Sequence, residues 1–495
     1  MWRKVSWLLG LTIIASSFSL VASGAYGLLK YSFGHPVEGW PAFVMLSVGL
    51  AYDLIGLLLF LVGRGVSITP RDALAGTVLV WILIPVLDAI PFMWALRIPF
   101  IDAVFESVSG WTTTGLTILT GQYSSWHHIY VPDVNHTPDT LLIWRTLMQW
   151  EGGLGIVILT IAILAPPGVS AAILYLAEGK FERLEASFKR SAVLMGIIYV
   201  LLTAAGVVYF LVAGMSLYDA INHSMTGVAT AGFSTHDASL GYYLARGKPM
   251  VLVAGMIVMM SGAISFSDHY NLLRGNIRAV LGSVELRAQA AIILLASLFS
   301  LYLWHINPSF RHVFTPLQVV FHVVSAFATA GFQAGNLHVV PESYKVILAV
   351  LSIIGGSAFS TAGGIKVLRL VISLKAIDIE AGLSLNPPGY VPRKKLGKYI
   401  LDEDIIRKSL ATMAAFILAY TLLVIILEGL DPQYDLGDVI FEVASAMGNV
   451  GLSAGISAAA APTSAKIILI LAMLLGRLEV ITYIIVAKMA FSRKL

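Results

Sequence analysis

Four stretches of the chain carry the same residue types at the same spacing. They read AVFESVSGWTTTG from Ala103 to Gly115, AINHSMTGVATAG from Ala220 to Gly232, VVFHVVSAFATAG from Val319 to Gly331, and VIFEVASAMGNVG from Val439 to Gly451. They align without a gap, and the fourth position is polar in each: Glu106, His223, His322 and Glu442. The chemistry open to such segments is coordination of a cation by backbone oxygen. About twelve residues make a helix of about 18 Å, which reaches mid-membrane and no further. A closing glycine lets the chain turn there and return extended. Non-helical backbone at that depth is tolerated where it lines a polar path. Four such hairpins around one axis would present rings of carbonyl oxygens to a dehydrated cation, with the negative ends of four short helices aimed at the same place.

Other chemistries find less support. Glu106 and Glu442 either hydrogen-bond the turning backbone and concentrate cations, or pair with a polar group on a neighbouring helix. His223 and His322 read as structural hydrogen-bonding residues rather than ion ligands. A zinc site needs further ligands at helical spacing, and none converges here. The chain has no H-E-x-x-H pair, so an enzyme is not expected. The absence of cysteine excludes disulfides and thiolate sites.

The elements that would hold these segments are membrane spans. The 495 residues are 58% hydrophobic and only 12% charged, about half the usual charged fraction. Apolar blocks near 6–28, 39–63, 72–96, 140–165, 191–213, 249–270, 288–305, 344–370, 409–428 and 464–489 are long enough to cross a bilayer. The expected fold is therefore an all-α polytopic membrane protein. With the N-terminus inside, most of the 32 Lys and Arg fall on the cytoplasmic face, as the positive-inside tendency requires. Both termini are then cytoplasmic, and the net charge of +4 needs no nucleic acid to explain it. Arg3, Lys4 and the small residues after the first block also suit a signal peptide, but the charge alternation holds only if that span stays.

The repeat divides the chain into two N-terminal transmembrane helices (1–70) and a first repeat of span, hairpin and span (71–168). A second repeat (169–275), a third (276–375), a cytoplasmic loop (376–408) and a fourth repeat (409–495) follow. Residues 168–190 interleave apolar and charged types and read as an interfacial helix. Within the third repeat, Gly355, Gly356, Ser357, Ser360, Thr361, Gly363 and Gly364 disfavour a continuous helix and favour a loop inside the membrane. Arg477 falls about 13 residues into the last span, about 20 Å deep by helical rise, where a cation is a functional candidate. Asp53, Asp88, Arg145 and Glu151 also lie in apolar runs, without an assignment.

The ordered set S-G-W-T-T-T-G, A-T-A-G-F-S-T-H-D-A-S, G-G-S-A-F-S-T-A-G-G-I-K and G-N-V-G resembles the Trk/Ktr/HKT superfamily of potassium transporters, closest to its bacterial and archaeal TrkH type. The resemblance covers almost the whole chain. It implies a pseudo-fourfold pore of four M1–P–M2 repeats with re-entrant loops, preceded by two extra helices, in the plasma or inner membrane. The implied potassium filter comprises Thr112, Thr113, Thr114 and Gly115; Ala229, Thr230, Ala231 and Gly232; Ala328, Thr329, Ala330 and Gly331; and Gly448, Asn449, Val450 and Gly451. Relatives with serine for the first filter glycine tend toward sodium, whereas this chain keeps Gly115. Asn449 departs from the threonine of the other repeats, which implies a less regular inner site. The resemblance also makes residues 355–364 a gating loop, opposed by Arg477. Arg477 could otherwise be paired with Glu479 or Glu151.

No nucleotide-binding motif occurs in the chain. The resemblance implies separate cytosolic RCK-type subunits carrying NAD or ATP, docked on a homodimer. Sodium or non-selective conduction, and ion-coupled symport with broken helices, are the alternatives. Four parallel repeats, rather than two inverted halves, count against symport.

Overall fold

In the computed structural model, residues 2–63, 69–155, 188–387, 391–392, 394–397 and 399–491 are described. Residues 168–187 of the expected interfacial helix lie outside them. Among the described residues, six helices are long and apolar enough to cross a membrane, and two further pairs qualify as bent spans. The helices Trp2–Ser32 and Gly39–Gly63 form an antiparallel hairpin packed on the first repeat. Its Glu38 accepts the Asp139 and Thr140 backbone N–H groups, capping the inner helix of that repeat.

Each repeat then has an outer helix, a short pore helix and an inner helix. The outer helices of repeats 2, 3 and 4 are Phe188–Val212, Val284–Ile306 and Glu403–Leu430. In the first repeat Pro70–Leu87 gives way to Ala89–Leu96 at Asp88, three residues beyond Pro85 inside the helix. The pore helices Phe100–Trp111, Leu217–Val228, Pro316–Phe327 and Leu436–Met447 all have 12 residues, the length that stops at mid-membrane. Their starts are set locally: Ser216 and Thr315 accept from the N–H three residues on, and Pro316 occupies the first turn.

The inner helices are Asp139–Leu154, Met250–Ala263, Glu342–Ile353 and Thr463–Arg477, each directly preceded by a proline. None runs on as a straight span. Gly155, with φ 91°, ends the first. The third is interrupted over the stretch rich in glycine, as expected, and resumes as Val367–Leu385. The second and fourth, expected to be continuous, bend by 102° and 90° into Phe266–Leu273 and a helix starting at Val480. The local causes are Ser265, whose side chain caps the new helix at Ser267 N–H, and Glu479, which takes a left-handed φ of 63°. Helix also covers more of segment 376–408 than a loop would, running to Leu385 and resuming at Glu403.

Candidate functional site

The four pore helices end in the same way. The N–H groups of Thr113, Thr230, Thr329 and Asn449 bond the carbonyls of Gly110, Gly227, Ala326 and Ala446 at 3.0–3.2 Å. Those of Thr114, Ala231, Ala330 and Val450 reach back to Ser109, Thr226, Ser325 and Ser445 at 2.8–3.0 Å. This paired closure turns the chain through one left-handed residue. That residue is normally glycine, yet here it is threonine three times, with φ of 56°, 51° and 52°, and Asn449 at 53°. A β-branched residue in that region carries about 1–3 kcal/mol of strain, which surrounding contacts must hold. Two residues later Gly115, Gly232, Gly331 and Gly451 turn the chain again, with φ between 74° and 97°.

The four glycines close a ring. A Cβ on Gly115 would overlap the carbonyl oxygen of Ala231, one on Gly232 that of Ala330, one on Gly331 that of Val450, and one on Gly451 that of Thr114. Each repeat therefore abuts the next, and the fourth returns to the first. All four glycines border a single cavity of about 660 Å³ on the side toward which the chain returns. Among the described residues, Asp237 is the only carboxylate lining it, and no group of three or more metal-ligating side chains occurs. Thr112, Ala229, Ala328 and Gly448, the remaining residues of the four expected segments, complete the C-terminal turns of the pore helices and are buried. The ring departs from fourfold symmetry at Gln149, which donates to Ala231 O at 2.8 Å and accepts from Phe233 N–H at 2.9 Å.

The polar residue in each pore helix fastens the returning strand eleven or twelve residues on. Glu106 accepts from Thr117 Oγ1 at 2.9 Å and Ile118 N–H at 3.1 Å. Glu442 accepts from Ser453 Oγ at 2.7 Å, Ala454 N–H at 2.8 Å and Ser457 N–H at 2.9 Å. His322 Nε2 accepts the Ala334 N–H at 3.1 Å, so its Nδ1 carries the proton toward Gln318 O. His223 bridges Asp219 O and Ser234 Oγ in the same way. Both histidines are thus engaged as fasteners. Glu106 is also paired with Arg145, whose Nε lies 2.7 Å from it and whose guanidinium covers the Phe233 ring at 3.9 Å. Arg145 stood unassigned in the sequence because its partner is 39 residues away.

On the other side of the ring lies the loop between Ile353 and Val367. Parallel pairing of Ile354 and Gly355 with Ile365 and Lys366 pins its ends together. Gly355, Gly356 and Gly363 all sit where a Cβ would strike backbone. Thr361 Oγ1 is 3.2 Å from Thr230 Oγ1 and donates toward Val228 O at 2.9 Å. The Gly363 N–H donates to Thr329 Oγ1 at 2.8 Å, and Gly363 packs on Gly448. Ser357 is held by Gln289, Ser360 bonds Ser357 O, and Gly364 completes the loop with φ 63°. The loop thus meets repeats 2, 3 and 4. Repeat 1 is met by Arg477, which donates to Thr113 Oγ1 at 3.3 Å and to Gly152 O. Glu479, the neighbour considered for Arg477, pairs instead with Arg369 at 2.5 Å.

Sequence reasoning missed two buried ion pairs that join adjacent repeats. Lys345 pairs with Asp438, and Lys466 with Asp102, each linking an inner helix to the next pore helix in the ring. A signal was present: both lysines stand four residues after the proline that precedes their helix, and both aspartates stand just before the aligned repeat. The unassigned Asp88 accepts from Ser16 Oγ at 2.9 Å and Trp111 Nε1 at 2.8 Å, while Asp53 accepts from Ser17. Asp88 ties the N-terminal hairpin to the first repeat, and Asp53 ties the two helices of the hairpin to each other.

A family described as TrkH, cation transport protein, matches residues 56–494. An uncharacterized cation transporter of Methanocaldococcus jannaschii is 30% identical over 88% of this chain and 86% of its own. The Trk system potassium uptake protein TrkH of Halomonas elongata is 31% identical over 99% of both chains. The crystal structure of the potassium transporter TrkH from Vibrio parahaemolyticus superposes with a TM-score of 0.81 at 27% identity, covering 100% of each chain.

Proposed function

Because this chain belongs to the TrkH family of cation transport proteins, we propose that it takes up potassium across the cell membrane through the ring of four glycines. The observation that carries this reading is the closed ring itself, in which each glycine abuts a backbone carbonyl of the next repeat. Backbone oxygens on a mouth with one carboxylate suit a large, weakly hydrated monovalent cation better than a divalent one. The cation enters from the 660 Å³ cavity, sheds water at the segments ending in Gly115, Gly232, Gly331 and Gly451, and passes the loop of residues 355–364. In the closed state the loop and Arg477 hold the underside of all four repeats, and their withdrawal opens the path. Both termini are cytoplasmic. The chain works as a homodimer under cytosolic RCK-type subunits that bind NAD or ATP.

The test is rubidium-86 uptake into liposomes holding the purified protein under an imposed potential. External potassium should compete with rubidium and equimolar sodium should not. Equal competition by sodium would overturn the potassium assignment.

A further inference from the structure

A second cavity, of about 550 Å³, lies against the loop on the side away from the glycine ring. Among the described residues its charged lining is Lys366, Arg369, Arg407, Lys408 and Arg477, with Glu479 as the one carboxylate. Five cations around one cavity repel a passing potassium ion, and the low-dielectric walls strengthen that repulsion. Arg369 has Glu479, while Arg407 and Lys408 both lean on Asp404, at 2.7 and 2.6 Å, from side chains 79% and 74% exposed. Two helices also begin at this cavity: Val367–Leu385, whose N-cap is Lys366, and Val480–Phe491, preceded by Glu479. Helix starts favour anions because their N–H groups and dipoles face outward. Cations of this geometry suit the oxygens of a phosphate group, which accept from several donors at once. Leu74 and Ile485 add an apolar wall beside them.

We propose that this cavity binds a phosphate-bearing anion, either an anionic lipid headgroup or a soluble phosphate compound, and that its occupancy raises cation flux. The bound anion offsets the five cations and competes with the Thr113 and Gly152 oxygens for Arg477. The effect on flux rests on the transport reading above, whereas binding does not.

Binding is read on the purified, delipidated full chain. Native mass spectrometry follows phosphatidylglycerol, and equilibrium dialysis follows ADP and inorganic phosphate. At least one of the three should bind. Replacing the two rim cations together, Arg407→Gln with Lys408→Gln, should weaken it about tenfold, since each contributes one charge-assisted contact at an exposed site. Asp404→Asn, which releases both cations from their carboxylate, should strengthen it about threefold. Capture of phosphatidylglycerol alone assigns a lipid, and capture of ADP or phosphate assigns a soluble ligand. No binding of any of the three, or binding indifferent to both variants, overturns the site. In phosphatidylcholine liposomes the bound probe should raise rubidium uptake severalfold, and binding without a change in flux overturns the regulatory half. Absence of uptake in every lipid contradicts the transport reading, and the binding result still decides the site.

Discussion

Glu106 and Glu442 occupy the same place in their repeats, yet their partners differ. Glu106 holds a buried arginine, while Glu442 accepts only neutral donors in the contacts described above. Glu106→Gln therefore leaves Arg145 buried beside an uncharged amide and should cost about 3–5 kcal/mol. Glu442→Gln sets its amide NH2 against the Ala454 or the Ser457 N–H, leaves one buried donor unpaired, and should cost about 1–3 kcal/mol. Thermal unfolding of the two variants in one detergent checks the order, and an equal or reversed loss would show that the ion pair is not what holds the first strand. The polar fourth position was legible in sequence, because four residues in register are hard to miss. Their task was not, because it depends on strands that fold back after a left-handed turn. That turn was hidden as well, since threonine suggests extended backbone rather than a φ near 50°.

The loop of residues 355–364 is the element whose place the sequence made plainest. Two Gly-Gly pairs flanking polar residues cannot sustain a helix, and backbone packed this closely admits no Cβ at any of the four. The bends of the second and fourth inner helices were less visible, as their apolar runs continue without proline. Ser265 with Asp268 three residues later is a helix-start signature inside such a run, and it marks the second bend. Under the proposed gate, Arg477→Ala removes the contact with repeat 1, and Thr361→Val removes the hydroxyl contacts with Thr230, Val228 and Gly262. Each should raise basal rubidium uptake severalfold, because each lost anchor of about 1 kcal/mol changes an opening equilibrium by about fivefold. Initial uptake rates without any cytosolic partner provide the check. Unchanged or lower rates in both variants would make these contacts structural.

Across the whole molecule, closure of the ring depends on contacts between repeats that lie far apart in the chain. Lys466 and Asp102 join the last repeat to the first across 364 residues. Lys466→Met should strand the buried Asp102 and lower stability by about 3–5 kcal/mol. Adding Asp102→Asn should recover most of the loss, because the uncompensated charge is then gone. Thermal midpoints of the two single variants and the double variant test this, and additive losses would mean that the pair does not act as a unit. Four repeats were readable from alignment alone, whereas their order around an axis was not. Neighbour relations came from the overlap of each glycine with the next carbonyl.

Under the proposed function, selectivity is a property of close backbone approach in the glycine ring. The most direct measurement is the potassium-to-sodium permeability ratio in a planar bilayer under bi-ionic conditions, for the wild-type chain and Gly115→Ser. A Cβ at Gly115 overlaps Ala231 O and strains a φ of 91°, so the first and second strands must separate. The expected result is a potassium-selective wild type and a variant whose ratio falls toward equality. A variant that conducts with the wild-type ratio would contradict the ring as the origin of selectivity.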